Sequence, residues 1–267
     1  HGLSWAAMPT PPAPARFDPR TASRGAWSRF HAFRRQRHLE RNEGEPIDSD
    51  RLAEVELTRD HPETITDILW TDTGSAVSAV AIFWSSRPGG AEYETNRGIL
   101  SFELYVLRSH RGRGIARAYL PALLDLAKKY DGRVIGVTVE DPDGHAAAQA
   151  FGFVRKSDER YSRLDLEGVD WSTVGRWAED GPRRSPDRRL QLYLNWPPEE
   201  EWPEYTRVVT ELFNSIPFED EEHGDIAITP ANLSELTEPF AVEDALMLSF
   251  LLLKPDGRSP ALTHMPL

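Results

Sequence analysis

The chain of 267 residues contains no cysteine, which excludes disulfide bonds, thiolate metal sites and a cysteine nucleophile. Its longest apolar run, residues 245–253, is much too short to span a bilayer. No charged-then-apolar leader opens the sequence, so we expect a cytoplasmic protein without a membrane partner. The sequence also lacks the H-E-x-x-H metal motif and the G-x-S-x-G nucleophile elbow. We therefore expect neither a metal cofactor nor serine-hydrolase chemistry.

Charge is present but uneven, with a formal net charge of −12. Arginines are concentrated in residues 16–41, and acidic residues are concentrated in residues 199–225. We interpret both stretches as solvated surface; an acidic wall that attracts a cationic substrate is the alternative. The N-terminal arginines lie on a predicted helix, but no second helix-turn-helix element stands beside it. We therefore expect no nucleic-acid partner.

The most informative stretch is a strand, a loop and a helix within residues 99–130. Residues 102–107 are mostly apolar, as in a buried strand, and residues 108–114 form a loop rich in arginine and glycine. From residue 115 to residue 130 apolar residues recur at steps of three and four, which predicts a helix with one buried face. Free N–H groups at the helix start, its positive end and the arginines together predict a phosphate-binding site.

Three phosphate-binding patterns were compared with this loop. A P-loop needs a Gly-Lys pair, which occurs nowhere in the chain. The dinucleotide pattern G-x-G-x-x-G fails because Arg117 stands at the third glycine position. The pattern [Q/R]-x-x-G-x-[G/A] is satisfied by Arg111, Gly114 and Ala116. Only the third pattern fits.

With this motif the sequence resembles the GNAT family, the acyl-CoA-dependent N-acetyltransferases. The phrase LYVLRSHRGRGIARA resembles the family's acetyl-CoA signature, and Phe151-Gly152-Phe153 closes a short helix at the spacing that the family uses. The resemblance covers about residues 17–166. It implies a mixed α/β (α+β) sheet with helices on its faces, the GNAT acyl-CoA N-acyltransferase fold.

The resemblance also implies acetyl-CoA as co-substrate and assigns roles to the residues of the central stretch. Backbone N–H groups of the loop would bind the pyrophosphate of CoA, with Gly112 and Gly114 allowing its close approach. The backbone around Tyr105 and Val106 would pair with the pantetheine arm, and the Val106 N–H would stabilise the oxyanion. The implied cofactor-binding residues are Tyr105, Val106, Arg111, Gly112, Arg113, Gly114, Ile115 and Ala116.

Acetyl transfer to an amine needs a base, because ordinary amines are protonated at neutral pH. Glu103 is the candidate base, and strand alternation places it on the face opposite Phe102 and Leu104. The alternative for Glu103 is a structural ion pair with an arginine. Where many family members carry a tyrosine as general acid this chain has Ala148, and nothing in the sequence selects His145 or Tyr161 as a substitute.

The function predicted is therefore transfer of an acetyl group from acetyl-CoA directly to a primary amine of a small molecule. The alternative is a non-catalytic acyl-CoA-binding or structural domain, which the Ala148 departure favours. We also consider that two copies of the chain form a homodimer.

Four segments are predicted: a leader (1–16), a GNAT domain (17–168), a helix with a linker (169–189) and a partial second GNAT-like domain (190–267). The last segment repeats the order of elements found in residues 24–85, helices followed by a hairpin, as in tandem GNAT proteins. Further elements are predicted as a strand over 134–139, a helix over 145–151, a closing strand over 161–166 and a helix over 171–178.

Overall fold

The computed structural model describes residues 11–41, 44, 46–158, 165–216, 224–233, 247–259 and 261–266. The chain divides into two compact units, His1–Arg155 and Lys156–Leu267. None of the helices in these described ranges is long and apolar enough to cross a membrane. The four-segment division expected above stays a prediction.

The first unit is built on one five-stranded mixed sheet. Its strands follow the order β1-β2-β3-β4-β5; neighbours pair antiparallel except for β4 and β5, which are parallel. The elements in chain order are β1 (Ala15–Phe17), α1 (Arg24–Arg41), α2 (Asp50–Thr58), β2 (Thr64–Asp72), β3 (Val77–Ser86), α3 (Tyr93–Asn96), β4 (Ile99–Val106), α4 (Ile115–Lys129), β5 (Val134–Val137) and α5 (Pro142–Ala150).

Side-chain alternation along β4 divides the core into two clusters, one on each face of the sheet. Tyr105 packs in the cluster that contains Phe30 of α1, whereas Phe102 packs in the cluster that contains Tyr119 of α4. The face assignment predicted for Glu103 is therefore confirmed, since residues 103 and 105 share a face.

Tyr119 fixes α4 against the sheet and so positions the start of that helix. Its buried hydroxyl donates to the carbonyl of Ala79 at 2.9 Å and accepts from the Thr71 hydroxyl at 3.1 Å. Burial raises the pKa of this phenol because it penalises the phenolate. The phenol therefore stays neutral and hydrogen-bonded.

The two parallel strands part before β4 ends. Their pairing runs from Ile99 opposite Val134 to Phe102 opposite Val137, and β4 then continues through residues 103–106. Strand β5 ends at Val137, two residues earlier than predicted. We call the opening beside residues 103–106 the strand gap.

The second unit contains a three-stranded antiparallel sheet with the order β6-β7-β8. Tyr205, Val209 and Leu251 lie at its core. From β6 onward the described order is a strand, a helix and a hairpin, so the predicted hairpin and one helix before it are found, whereas the second GNAT-like domain stays a prediction. Its elements are α6 (Trp171–Arg184), β6 (Arg189–Leu194), α7 (Trp202–Asn214), β7 (Met247–Leu253) and β8 (Ala261–Pro266).

Several predicted boundaries were wrong. Helix α5 begins at Pro142 rather than at residue 145, because Asp141 caps it and proline suits the first helical position. Helix α6 continues to Arg184 rather than ending at residue 178, through a segment predicted as linker. Of the predicted closing strand, residues 161–164 lie outside the described residues, and Leu166–Gly168 forms a 3-10 turn.

Candidate functional site

The loop between β4 and α4, residues 107–114, is called the anion loop below. It opens with a 3-10 turn over Arg108–His110. Gly112 has φ +72° and Gly114, the residue before α4, has φ +78°. Both values lie in the left-handed region that disfavours residues with a Cβ. The predicted loop and helix start are therefore found, and backbone conformation requires both glycines.

The anion loop presents a run of free backbone donors. The first helical hydrogen bond of α4 runs from the Ala118 N–H to the Gly114 carbonyl at 3.1 Å. The N–H groups of residues 112–117 donate to no acceptor within the part of the chain that the structure describes. Unsatisfied N–H groups at a helix N-terminus favour an anion, because the helix dipole adds to their positive charge.

Arg111 ties the anion loop to its neighbours. Its Nε donates to the Val106 carbonyl at 3.1 Å, and its two terminal nitrogens lie 3.0 Å from carboxylate oxygens of Asp141 and Asp143. Burial lowers the pKa of Arg111, but the bonds to the two aspartates outweigh this effect and raise it. Arg111 therefore joins the end of β4 to the start of α5, a contact that the sequence did not predict.

Arg113, the other arginine predicted to contact the pyrophosphate, is exposed. Its guanidinium donates to the Ser109 carbonyl at 2.9 Å. This bond lies within the anion loop itself. Arg113 therefore lies at the surface of the loop, whereas Arg111 is partly buried.

Strand alternation decides which backbone groups face the strand gap. The Leu107 N–H donates to the Ser78 carbonyl at 3.0 Å, so Leu107 and Tyr105 direct their backbone groups towards β3. Leu104 and Val106 direct theirs to the opposite edge, where β5 has ended. Tyr105 and Val106 were predicted to pair with the pantetheine arm. In this part of β4, the backbone N–H and C=O groups that face the gap are those of Leu104 and Val106.

Glu103 is the first residue of β4 beyond its pairing with β5. One carboxylate oxygen, Oε1, accepts hydrogen bonds from Arg37 and from Arg41, the latter at 2.8 Å. The other oxygen, Oε2, has no hydrogen-bond partner in the described ranges of the chain. The side chain is 33% exposed. The strand gap thus closes beside a carboxylate with one anchored oxygen and one available oxygen.

Arg41 connects Glu103 to the chain that follows β5. One of its terminal nitrogens bonds to Glu103 and the other pairs with Glu140. Burial lowers the pKa of Arg41, but the two glutamates outweigh this effect and raise it. Arg37, Arg41, Glu103 and Glu140 together are called the charge cluster below.

Glu40 holds the end of α1 against the anion loop. Its Oε2 accepts from the Tyr105 hydroxyl and from the Arg108 N–H, each at 3.0 Å. Burial acts to raise the pKa of Glu40, but the Arg108 and Tyr105 hydrogen bonds outweigh it and lower the pKa. Burial and the Glu40 carboxylate raise the pKa of Tyr105. The last turn of α1 is thus fixed beside the strand gap.

The α1 residues of this site were not predicted. Arg37 and Arg41 are four residues apart and so share a helix face, which was the available signal, but sequence alone does not reveal that this face meets Glu103. Of the possible general acids, His145 is exposed and Tyr161 lies outside the described residues. The described part of the chain holds no cluster of three or more potential metal-ligand side chains.

Comparisons with known proteins agree with this architecture. Residues 27–153 match the model of the family described as "Acetyltransferase (GNAT) family". A solved tandem GNAT protein from the clavulanic acid biosynthesis pathway is 17% identical, with a TM-score of 0.66 over 94% of this chain and 73% of that chain. No curated protein sequence gives a significant match.

Two shorter solved proteins are also similar. The ribosomal-protein-alanine N-acetyltransferase of Brucella melitensis biovar Abortus 2308 is 18% identical over 57% of this chain and 98% of its own, with a TM-score of 0.40. AAC(6')-Iy, solved with a bisubstrate analog, is 15% identical over 57% of this chain and 97% of its own, with a TM-score of 0.40.

The mixed sheet with its parted strands and anion loop defines the acyl-CoA N-acyltransferase fold. Within that class, residues 27–153 match the model of the GNAT acetyltransferase family, which confirms the resemblance read from the sequence. This match supports acyl transfer as the general class of reaction and an acyl-CoA as the donor.

Proposed function

We propose that the protein transfers an acetyl group from acetyl-CoA directly to a primary amine of a small molecule. The observation that carries the proposal is the order of features along β4: the anion loop follows its end, the strand gap lies beside residues 103–106, and Glu103 lies at the far end of that gap. The path along residues 106 to 103 is roughly 10 Å long at ~3.3 Å per strand residue. An acyl-CoA with its pyrophosphate on the anion loop would extend its pantetheine arm along this path.

Each part of the site has a proposed task. The backbone from Arg111 to Ala116, including Gly112, Arg113, Gly114 and Ile115, binds the pyrophosphate, chiefly through the free N–H groups. Arg111 acts mainly by holding the loop in place, since its guanidinium is already paired with two aspartates. The backbone groups of Leu104 and Val106 that face the strand gap pair with pantetheine. The Val106 N–H is the proposed oxyanion donor.

Glu103 is the proposed base. Its Oε2 accepts a proton from the ammonium of the acceptor, directly or through water, and the neutral amine attacks the thioester carbonyl. The C–N bond forms, the backbone N–H stabilises the tetrahedral oxyanion, and the C–S bond breaks while the attacking nitrogen loses its second proton to solvent. The departing CoA thiolate takes a proton from solvent, because no side chain of the site is assigned as general acid.

Acetyl-CoA turnover with a panel of amines, read by mass spectrometry of the product, tests the proposal. Glu103→Gln should lower kcat by roughly 100-fold, the lower end of general-base contributions, and should change the acidic limb of the pH profile. Glu140→Gln is the matched control, because it removes a carboxylate from the same charge cluster without touching β4. An unchanged rate and pH profile in the Glu103→Gln protein would show that Glu103 is not the base.

The second candidate function is acyl-CoA binding without turnover. It is favoured by Ala148, which stands where many family members carry a tyrosine. Calorimetric binding of acetyl-CoA without any acetylated product across the panel would support this function instead. Cytoplasmic location and homodimer formation remain predictions from the sequence.

A further inference from the structure

Arg37 and Arg41 both bond to Glu103, but Arg37 keeps more of its donors unused. Its Nη2 bonds to Glu103, while its Nε and Nη1 donate to no acceptor among the described residues. The guanidinium carbon lies 5.7 Å from the centre of the Tyr105 ring, a cation–π contact that orients the group. With the side chain 28% exposed, the free edge of Arg37 can be reached from solvent.

The other arginines on this helix are differently engaged. Arg29 binds Asp72 through both Nε and Nη2, and Arg35 binds both oxygens of Asp50. Arg41 uses one terminal nitrogen for Glu103 and the other for Glu140. Arg41 therefore links the two glutamates of the charge cluster, whereas Arg37 retains donors that can bind another anion.

Glu103 supplies the complementary group. Its Oε2 is available, and the carboxylate is joined to Arg37 through Oε1. A free acceptor oxygen and free guanidinium donors thus lie side by side at the closed end of the strand gap. A carboxylate fits the planar donors of Arg37, and an ammonium fits Oε2.

Charge balance favours an acceptor that carries both groups. The four charges of the charge cluster sum to zero, so the cluster has no net attraction for a simple cationic amine. An ammonium next to Glu103 is also repelled by the two guanidinium groups that share this carboxylate. A carboxylate on the acceptor offsets this repulsion, and the partial burial of the cluster strengthens the interaction relative to bulk water.

We propose that the acetyl acceptor is an amino acid or a similar zwitterion, with Arg37 binding its carboxylate and Glu103 its ammonium. This inference rests on the proposed acetyl transfer and names the class of its substrate. Arg37 is then the residue that determines specificity for the acceptor. A charge-assisted pair of this kind should favour the zwitterion about 10- to 100-fold in kcat/KM.

The test compares matched acceptors on the full-length protein with acetyl-CoA. Suitable pairs are phenylalanine with phenethylamine, leucine with isopentylamine, and ornithine with putrescine, together with the methyl ester of each amino acid. For the best pair the amino acid should exceed both the amine and the ester in kcat/KM. Arg37→Gln should reduce this preference to within about threefold, mainly by raising KM for the amino acid.

Arg35→Gln is the control, because it removes an arginine two residues earlier on α1 that pairs with Asp50 instead. It should leave the preference unchanged. Arg37→Lys, which keeps the charge but loses the planar donors, should retain part of the preference. If substitution at residue 37 prevents folding, the comparison of acceptors on the unmodified protein still decides the question.

The outcomes separate the two proposals. Equal or better turnover of the amine than of its amino acid, by an active enzyme, overturns the zwitterion inference and leaves acetyl transfer intact. A preference for amino acids that survives Arg37→Gln overturns the role of Arg37. Binding of acetyl-CoA without product from any acceptor contradicts the proposed function, and the inference that depends on it.

Discussion

At the scale of single residues, the glycines of the anion loop are explained by conformation more than by space. Among the described residues, a Cβ on Gly114 would meet only Pro11, with Cγ at 3.7 Å, and a Cβ on Gly112 would meet nothing within 4 Å. From the sequence, the role expected for these glycines is to let a ligand approach the backbone closely. The positive φ values supply a second requirement, which holds before any ligand binds.

Gly114→Ala should therefore destabilise the protein by about 1–2 kcal/mol, the cost of a left-handed residue with a Cβ, and weaken acetyl-CoA binding. Urea unfolding and calorimetric titration with acetyl-CoA measure the two effects. The control is Gly175→Ala in α6, where φ is not positive and no atom of the described part of the chain lies within 4 Å of the added Cβ. That substitution should stabilise the helix by about 0.5–1 kcal/mol and leave binding alone. Normal stability and binding in the Gly114 variant would contradict this account.

Arg111 illustrates the limit of residue-level prediction. The motif predicts a contact with pyrophosphate, but its guanidinium is held by the Val106 carbonyl, Asp141 and Asp143. A charge reversal at residue 111 should therefore disturb the fold as well as binding, since a glutamate there would face two aspartates. Sequence spacing identifies the motif residue but does not reveal which carboxylates the fold brings beside it.

At the scale of elements, α5 depends on Asp141 at its start. The Asp141 carboxylate accepts from the Gly144 N–H at 2.6 Å and pairs with Arg111 at 3.0 Å. Burial acts to raise its pKa, but the Gly144 and Arg111 interactions outweigh it and lower the pKa. One carboxylate thus caps α5 and fastens it to the anion loop.

Asp141→Ala should cost about 1–2 kcal/mol of stability and increase hydrogen exchange in the first turn of α5. Asp141→Asn keeps the cap and loses the charge, so it should cost clearly less. Asp143→Ala is the matched comparison, because Asp143 pairs with the same arginine but is exposed and does not cap the helix. Equal effects of the alanine changes at residues 141 and 143 would show that the cap contributes nothing measurable.

Element prediction succeeded where local signals were strong. Ser23 and Ser49 cap α1 and α2, a role that serine favours, and the strands on either side of the 72–74 turn pair as a hairpin. The end of β5 could not be predicted. A run of β-branched residues predicts a strand, but it does not show where the pairing with β4 stops. The start of α5 was missed although Asp141-Pro142 is a capping signal.

At the scale of the whole molecule, sequence was sufficient for the architecture of the first unit and insufficient for its charge cluster. Periodicity predicted the strand, loop and helix of residues 99–130, and the family resemblance implied the mixed sheet. The position of Arg37 and Arg41 against Glu103 depends on how α1 lies across β4, over a separation of more than 60 residues. Such a contact follows from tertiary packing, which local patterns do not encode.

The acid stability of the molecule should depend on buried carboxylates such as Asp67. Its side chain is 2% exposed and pairs with Arg16 of β1 and with Lys129 of α4, each at 3.0 Å. Burial acts to raise the pKa of Asp67, but hydrogen bonds from Tyr130 and Lys129 outweigh it and lower the pKa below the ordinary 3.8. The folded state therefore releases this proton more readily than the unfolded chain does.

It follows that the stabilisation from Asp67 is complete above pH 3.8 and is lost as the pH falls through the lower folded-state pKa. Asp67→Asn should cost about 3 kcal/mol at neutral pH, and this difference should shrink progressively below pH 3.8, as urea unfolding at a series of pH values would show. Asp125→Asn is the control, because Asp125 is 75% exposed and makes only a surface pair with Lys128. Its cost should stay within about 0.5 kcal/mol throughout. A cost for Asp67→Asn that does not change with pH would mean that its charge adds nothing to stability beyond its shape and hydrogen bonds.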